Sequence, residues 1–555
     1  MPFSDPATRT GPSRMGAGIP SSDTAVAGPG MPGSRAPGAG ARPAGARTAS
    51  LPASNARRWI SLVVVCLGMM MAFFNISATL TALTEIQADL QASATTTVWI
   101  TSAYSLLVAS LVLSAGTIGD RLGHRRTFFT GALVFTAGSA LAFASSGAAA
   151  LILAQAVMGV GGAIILPTSL STVSHTFTRP HERTAAIGVW ASCSGLGLAI
   201  GPVTAGLLLA SFPWHAVYLL NVVTGALVLA LTFPLVIPTG GVARRLDVAG
   251  LALGTLTVGA LVFTIIQGGS AGYTSPAIIT GYVLITLALA GFVAVELRAA
   301  QPMVDVRLFR SASFSAVLVS ATASLFGFTG IALLNVLYLQ RVQGRTPLTA
   351  GVFLMVMFVT YIVVSALAPL LVKRVGFRIT LTAGLVLGAA GALLLLLSPP
   401  SAGFGPVWPG LLLFGAGTGL LVAPSTAAAV ISVPHERAGM ASAIVNMFRQ
   451  LGSVLGASVL GTVLTSRFAA GLPARLDAAG VPAEVSRQVI QAAANGASGR
   501  PPAGLAVPIH HAIAGALTAA AHTGFVVVAA AFLAVALPTV LLVRHRPAPA
   551  TPAAR

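Results

Sequence analysis

The sequence predicts an all-α integral membrane protein made of two pseudo-symmetric six-helix lobes and two inserted helices. Three observations lead to this fold class: the composition, the apolar runs and an internal repeat. Of the 555 residues, 55% are hydrophobic and only 8% are charged, whereas about 25% charged residues is usual in soluble domains. Most of the chain is therefore expected to lie within a lipid bilayer.

Fourteen apolar runs are long enough to cross a bilayer, which takes about 20 residues of helix. They cover residues 59–83, 98–118, 127–146, 149–174, 186–211, 215–237, 248–267, 276–296, 313–339, 348–372, 379–398, 407–432, 438–465 and 522–543. An even number of spans places both termini on the same side of the membrane.

Two short loop sequences recur at nearly one spacing, which indicates an internal duplication. The basic turn that contains Asp120 returns at Lys373, 253 positions later, and the tetrapeptide Pro-His-Glu-Arg at 180–183 returns at 434–437, 254 positions later. Parallel repeats of this kind are a transporter architecture. Because the repeat pairs the second run with the tenth, the seventh and eighth runs are interpreted as an insertion between two halves.

The predicted domains follow from these runs. Residues 1–55 are rich in Gly, Pro, Ala, Ser and Arg and are predicted to form a disordered cytoplasmic tail. The N-terminal lobe, the inserted helices, the C-terminal lobe and a second tail are expected at 56–240, 241–300, 301–546 and 547–555, respectively. A long external loop is expected at 466–521, with a short amphipathic helix around Ala483–Ala494.

Basic residues are concentrated in the loops of one predicted side and next to both ends of the spanning region. Such an excess marks the cytoplasm, so both termini are predicted to be cytoplasmic in a multi-pass protein of the cell membrane. The net charge of +19 is assigned to this orientation, and no nucleic-acid partner is expected. Lys373 is the single lysine, a bias that suggests a high-GC bacterium.

The fifth span contains small residues four apart, Gly197 and Gly201, followed by Pro202 and Gly206. Small residues at this spacing let helices approach closely, and proline loosens a helix because it lacks a backbone donor. Two interpretations remain open: plain helix packing, or a contact that rocks or seals during alternating access.

At this point the sequence resembles the major facilitator superfamily, and within it the drug:proton antiporter branch with fourteen spans. Gly116–Arg126 is similar to the loop motif between spans two and three, and Gly197–Gly206 to the antiporter motif of span five. The segments Trp99–Tyr104, Trp214–Asn221 and Asn446–Gly452 fit this branch as well. The resemblance implies a major facilitator fold and a secondary-active exporter of a hydrophobic small molecule, such as an antibiotic, usually driven by proton entry.

Two positions depart from the branch, which usually has an Asp late in span one and an Arg early in span four. This chain has Asn75 and Gln155 there. At 1.5 Å per residue the two amides lie about 12 Å and about 9 Å from the outer ends of their spans, which is a similar depth. Replacement of both charges avoids leaving one unpaired in low dielectric; chance drift is the alternative.

Arg449 is predicted to lie deep in span thirteen, about 16 Å from its inner end. A charge there costs at least about 2.5 kcal/mol, so it should face a cavity or a partner. It is either a structural residue bound to backbone carbonyls across the lobe interface or a contact for an anionic or carbonyl-bearing cargo. The predicted substrate-cavity residues are Asn75, Gln155, Trp190, Asn446, Arg449 and Gln450.

Charged loop residues are predicted to form a cytoplasmic gate that closes the inner side of the outward-open state. Arg121 and Arg125 can pair with Asp120 or with Glu182; a role in topology alone is the alternative. The predicted gate residues are Gly116, Asp120, Arg121, Gly123, Arg125 and Glu182. In the second half Lys373 replaces the acid, so a weaker latch is expected there.

Proton coupling needs a group that can change protonation between the two faces. Because Asn75 is neutral, Glu85 and Asp120 are the coupling candidates. Facilitated or exchange transport of an anionic metabolite without proton coupling remains open, as does a non-transporting membrane sensor. No clustered catalytic or metal-binding set is found at membrane depth, so no enzyme activity, metal or cofactor is predicted. The expected partners are the lipid bilayer, a small-molecule cargo and protons, and a monomer suffices.

Overall fold

The computed structural model describes residues 55–238, 247–299, 302, 304–398, 404–433, 438–494 and 505–543. These residues belong to one compact unit. The part of the chain that is described consists of helices and short connections and contains no strand, which confirms the predicted all-α class. Apart from Asn55, with which the first helix begins, the predicted tails lie outside the described residues, as does the second Pro-His-Glu-Arg tetrapeptide.

Fourteen α-helices are present in the described ranges. In chain order they are α1 Asn55–Asp89, α2 Ala94–Leu122, α3 His124–Phe143, α4 Ala148–Thr176, α5 Pro180–Leu209, α6 His215–Leu235, α7 Val248–Ala271, α8 Pro276–Arg298, α9 Ala312–Leu337, α10 Pro347–Leu394, α11 Trp408–Ile431, α12 Ala438–Ala478, α13 Ala483–Ala494 and α14 Ala506–Leu542. Thirteen of the helices described are long and apolar enough to cross a membrane, and α13 is the exception.

Helix α10 accounts for two of the predicted spans. Its 48 residues correspond to about 72 Å of helix, more than twice the apolar thickness of a bilayer, which is about 30 Å. Gly376 interrupts it with a φ of 79°, a backbone conformation that favours glycine. The chain therefore turns at Gly376, and the described helices provide the fourteen predicted crossings.

The turn at Gly376 repeats the turn between α2 and α3. Gly123 there has a φ of 91°. The Thr127 hydroxyl donates to the carbonyl of Gly123 at 3.1 Å, and the Thr380 hydroxyl donates to that of Gly376 at 2.8 Å. The sequence repeat thus corresponds to two turns that share a glycine at positive φ and the same threonine hydrogen bond.

Each of these turns is followed by an arginine whose side chain donates hydrogen bonds to the end of the last helix in the same half. Arg125 Nη1 donates to the carbonyls of Phe233, at 3.3 Å, and Val236, at 3.4 Å, where α6 ends. Arg378 Nε donates to the carbonyl of Val543, at 2.7 Å, where α14 ends. The last carbonyls of a helix lack intrahelical partners and carry partial negative charge, so a cation satisfies them well.

Two hydrophobic cores correspond to the two halves. The first is formed mainly by α1 to α6 around fully buried side chains such as Phe128 and Phe135. The second is formed mainly by α9 to α12 and α14 around side chains such as Phe414 and Phe532. We call these groups of helices the N-lobe and the C-lobe. Helix α7 of the inserted pair packs where α2 and α12 meet.

The segment predicted as a long external loop differs from that prediction. Helix α12 continues to Ala478, and α14 begins at Ala506, sixteen residues before the predicted span at 522. Helix α13 occupies the residues for which a short amphipathic helix is predicted. Apolar side chains of the three pieces form a small core of their own, with Leu472, Leu476 and Ile509 at its centre. The Ala-rich sequence has high helix propensity, which a count of membrane-spanning hydropathy does not register.

Candidate functional site

A buried polar network lies inside the N-lobe and joins α1, α4 and α6. Asn75 Nδ2 donates to Gln155 Oε1 at 3.1 Å. Gln155 Nε2 donates to the hydroxyls of Thr79, at 3.1 Å, and Tyr218, at 3.2 Å. Asn221 Nδ2 donates to Asn75 Oδ1 at 3.3 Å. All five side chains are at most 3% exposed, so the structure brings Asn75 and Gln155 together at one depth.

The network is neutral and satisfies itself. The amide oxygen and amide nitrogen of both Asn75 and Gln155 take part in hydrogen bonds, and none of the five groups bears a charge. A cavity of about 10 Å³, lined in part by Asn75, Gln155, Tyr104 and Thr329, borders it. That volume is close to the minimum for one water molecule, so this cavity is too small for a cargo molecule in this conformation. Asn221 also lines a second cavity, of about 170 Å³.

The C-lobe contains the cation that the sequence predicts in α12, and its side chain is partly buried. Arg449 Nη2 donates to the hydroxyl of Thr426 on α11. This partner is a side chain, whereas one of the two interpretations of the sequence had Arg449 bound to backbone carbonyls. Its Nε has no hydrogen-bond partner. Gln450 is 3% exposed, and its Nε2 has no partner either. Asn446, one turn earlier, is half-buried.

Trp190 lies in the N-lobe, away from the amide network. Its Nε1 donates to the hydroxyl of Ser169 at 3.0 Å and so connects α5 to α4. The ring is partly buried against the N-lobe core. The structure therefore places Trp190 between two helices of one lobe and not beside Asn75 or Arg449.

The glycine motif of α5 divides into two parts with different neighbours. A Cβ on Gly197 would lie 2.4 Å from the carbonyl oxygen of Met70, and a Cβ on Gly201 would lie 2.0 Å from Ser77 Oγ, both on α1 of the same lobe. A Cβ on Gly206 would lie 2.4 Å from Leu348 Cα on α10 of the other lobe. The motif packs α5 onto α1 and also brings the two lobes into contact.

The lobes are in contact at the end of the bundle that is remote from the two basic turns, and the contact extends to mid-helix, where Gly195 of α5 lies against Ile362 of α10. We call the end with Gly123 and Gly376 the basic end, and the other the opposite end. A Cβ on Gly351, near the start of α10, would lie 2.6 Å from the carbonyl oxygen of Pro202. The hydroxyls of Ser102 on α2 and Ser458 on α12 are 3.3 Å apart. These contacts join α5 to α10 and α2 to α12.

Hydrogen bonds reinforce this junction. Gln340 Nε2 donates to the carbonyl of Thr81 at 3.1 Å, and Arg341 Nη2 donates to Gln87 Oε1. Both donors belong to a π-helical turn, Tyr338–Val342, that follows α9. Widened turns of this kind often occur at functional sites. The two hydrogen bonds from this turn connect the C-lobe to α1 at the opposite end of the bundle.

At the basic end, Glu182, Arg125 and Arg378 bind residues of their own lobe. Glu182 pairs with Arg58 at 3.7 Å and with Arg179 at 3.1 Å. Arg125 contacts the end of α6, as described above, and Arg121 is exposed. In this conformation Arg125 donates to the end of α6 and Glu182 pairs with Arg58 and Arg179, so the contacts described for these two residues differ from the predicted pairing with each other.

The other predicted gate and coupling residues are placed as follows. Gly116 lies near Pro167, and a Cβ there would make an ordinary contact at 3.6 Å. Gly123 forms the turn already described, and Asp120 belongs to the last turn of α2, with a side chain outside the described part. Glu85 is exposed near the opposite end of α1.

Sequence reasoning missed the partners that complete these sites. Thr79, Tyr218 and Asn221 belong to the amide network, and Gln87 and Arg341 to the junction. Polar side chains within apolar runs were the available signal for the first three. The cross-lobe pair has no comparable signal, because nothing in either helix identifies its partner.

Comparison with known proteins identifies the family. The family model described as Major Facilitator Superfamily matches residues 65–457. The chain belongs to the major facilitator superfamily. The resemblance inferred from the motifs is thereby confirmed, and this chain is a transporter and not an enzyme.

Characterised relatives in this superfamily are efflux and resistance proteins. The chain is 35% identical to the multidrug resistance protein Stp of Mycobacterium tuberculosis over 437 residues, 79% of this chain and 81% of the relative. It is 32% identical to the tetracenomycin C resistance and export protein of Streptomyces glaucescens over 487 residues, 86% and 89% of the two chains. It is 31% identical to the multidrug efflux pump LfrA of Mycolicibacterium smegmatis, over 76% and 83%.

Solved structures agree on the fold. A bacterial homologue of the human lysosomal transporter Spinster, in an inward-facing and unoccupied conformation, aligns with a TM-score of 0.62 at 16% identity, over 89% of this chain and 100% of the other. A POT family transporter in complex with 5-aminolevulinic acid aligns with a TM-score of 0.58 at 14% identity, over 86% and 94%.

Proposed function

We propose that this chain exports a hydrophobic small molecule, such as an antibiotic or another natural product, by alternating access. The relatives named above support this function. The observation that carries the mechanism is the difference between the two ends of the bundle. The lobes are in contact at the opposite end, while the bonds described for Arg58, Arg125 and Arg378 at the basic end each stay within one lobe.

The charge distribution supports an orientation for this arrangement. The basic end would face the cytoplasm, because an excess of Arg and Lys marks that side, and both termini would then be cytoplasmic in the cell membrane. The described conformation corresponds to a state closed to the outside, in which cargo enters from the cytoplasm. One chain contains both lobes, so a monomer is the proposed functional unit.

Proton entry is the proposed driving force, and Glu85 and Asp120 are its candidate carriers. The amides of Asn75 and Gln155 do not change protonation. Proton coupling therefore cannot run through this pair, as it could through a carboxylate at the same position. This observation favours a second candidate, facilitated or exchange transport of an anion without proton coupling. The two candidates differ in whether a proton gradient is needed.

Uptake into inverted membrane vesicles tests the proposal. A panel of neutral, anionic and cationic drugs is offered with an imposed proton gradient, which is present or collapsed by an ionophore. Proton-coupled export predicts accumulation that ends when the gradient is collapsed. Glu85→Gln and Asp120→Asn then identify the carrier. Accumulation that survives the ionophore would contradict coupling, and no accumulation of any drug would contradict export.

A further inference from the structure

One side of α12, which we call a sector, faces neither α9 nor α2, two of the helices against which α12 packs. Gly456 lies against the backbone of α9, where a Cβ would be 2.2 Å from a carbonyl oxygen, and Gly461 lies against α2, where a Cβ would be 2.8 Å from a valine side chain. At 3.6 residues per turn, Asn446 and Gln450 fall in the sector between these two contacts. By the same spacing Arg449 falls beside this sector, on the stripe of α12 that packs against α9. Because α9 and α2 belong to different lobes, this sector faces the space between the lobes.

Two donor atoms, one in this sector and one beside it, are buried and have no acceptor. Arg449 uses Nη2 for Thr426, but its Nε has no partner. Gln450 is 3% exposed, and its Nε2 has no partner. Buried donors without acceptors are costly, whereas the amides of the N-lobe network satisfy one another. The C-lobe sector is therefore equipped to receive an oxygen acceptor from another molecule.

The positive charge of Arg449 also lacks a counter-charge. Among the residues that the structure describes, no acidic side chain pairs with it. The acidic residues of the described helices lie within about one turn of a helix end, at Glu85, Asp89, Asp120, Glu182, Glu296, Asp477 and Glu484. A guanidinium at membrane depth without a counter-ion is unfavourable, so an anion that enters this site gains attraction with little competition.

Aromatic side chains form a wall beside the cation. Tyr361 on α10 is close enough to interact electrostatically with Arg449. Its ring lies 5.2 Å from that of Phe328, which lies 5.4 Å from that of Phe358. All three rings are at most 8% exposed and belong to the C-lobe core, so they support the site from behind. The site thus offers a cation and an amide donor backed by buried aromatic packing.

We propose that Arg449 and Gln450 bind an anionic oxygen of the cargo, and that this chain prefers organic anions over cations of the same shape. A carboxylate matches the chemistry, because a guanidinium presents parallel N–H donors to an oxygen pair. An enolate or phenolate offers one anionic oxygen to the same donors. This inference rests on the proposed export function and specifies the charge of its cargo.

Binding of two dyes with one scaffold tests this preference. Fluorescein is an anion and rhodamine 123 a cation, and both contain a xanthene ring. The full chain is purified into nanodiscs, and binding is followed by fluorescence anisotropy. The wild type should bind fluorescein at least tenfold more tightly than rhodamine 123. Arg449→Gln should weaken fluorescein binding at least tenfold and leave rhodamine 123 within about twofold, and Arg449→Lys should retain part of the preference.

Arg487→Gln is the matched control, because it removes one arginine charge from exposed α13, outside the proposed site. It should leave both affinities unchanged. A wild type that binds no fluorescein, or that prefers rhodamine 123, would overturn the proposal even if Arg449→Gln fails to fold. Equal weakening of both dyes by Arg449→Gln would assign Arg449 a structural role only and overturn it as well. Drug export by a wild type that shows no anion preference would leave the proposed export function intact.

Discussion

The two lobes share a frame but differ in their interiors. Gly123 and Gly376 make the same turn, and the arginine two residues later holds the end of the last helix in each lobe. Inside, the N-lobe has five neutral side chains that satisfy one another, while the C-lobe has Arg449 with an unused donor. The glycine turns and the arginine hydrogen bonds to the last helix are therefore common to both lobes, whereas the interior polar groups have diverged.

Placing a charge in the neutral amide network of the N-lobe should lower stability and transport more than the other substitutions described below. Asn75→Asp puts a carboxylate beside the Oε1 of Gln155 in a site that is 1% exposed, and a buried charge without a partner costs about 3–5 kcal/mol. We expect a lower melting temperature and at least a tenfold loss of transport. Thermal unfolding in detergent and uptake into inverted vesicles measure the two effects.

The double variant Asn75→Asp/Gln155→Arg sharpens this test. It restores opposite charges at hydrogen-bonded positions, so it should recover most of the stability that Asn75→Asp loses. If Asn75→Asp alone were as stable as the wild type, the idea that neutrality matters in this network would be wrong.

Alanine at the two turn glycines should have smaller and similar effects in both lobes. Gly123→Ala and Gly376→Ala force a Cβ into positive φ, which costs about 1–3 kcal/mol. The same unfolding assay should show comparable decreases for both variants. Gly259→Ala in α7 is the control, because a Cβ there meets nothing within 4 Å. A large decrease at one turn and none at the other would contradict the shared frame.

Regular features of the sequence predicted the membrane fold, and pairwise contacts were harder to predict. Apolar runs and the repeat anticipated the crossings, and the matched depth of Asn75 and Gln155 anticipated their pairing. The helical extensions around α13 were missed because their apolar faces cover one another and are not long enough to appear as membrane spans.

Partners across separate helices were also beyond the sequence. Gly197 and Gly206 contact different helices because of the way the two lobes approach each other. The spacing of small residues in α5 does not indicate which glycine faces which helix. Arg125 was expected to pair with an acid, but the free carbonyls at the end of α6 lie within its reach, and their presence there depends on tertiary packing. The hydrogen bond between Gln87 and Arg341 likewise follows from the junction and not from either helix alone.

Alternating access requires the junction at the opposite end to open, and one cross-link tests this requirement directly. Ser102 and Ser458 lie on different lobes with their hydroxyls 3.3 Å apart, so Ser102→Cys/Ser458→Cys places two sulfurs within disulfide reach. The free cysteines Cys66 and Cys193 are first replaced by alanine. Ser102→Cys alone, treated with the same oxidant, is the control.

Transport into inverted vesicles is measured after oxidation and again after reduction. We predict that the disulfide lowers transport at least tenfold, that reduction restores it, and that the single-cysteine control is unaffected. Full transport by the cross-linked protein would contradict the alternating-access account.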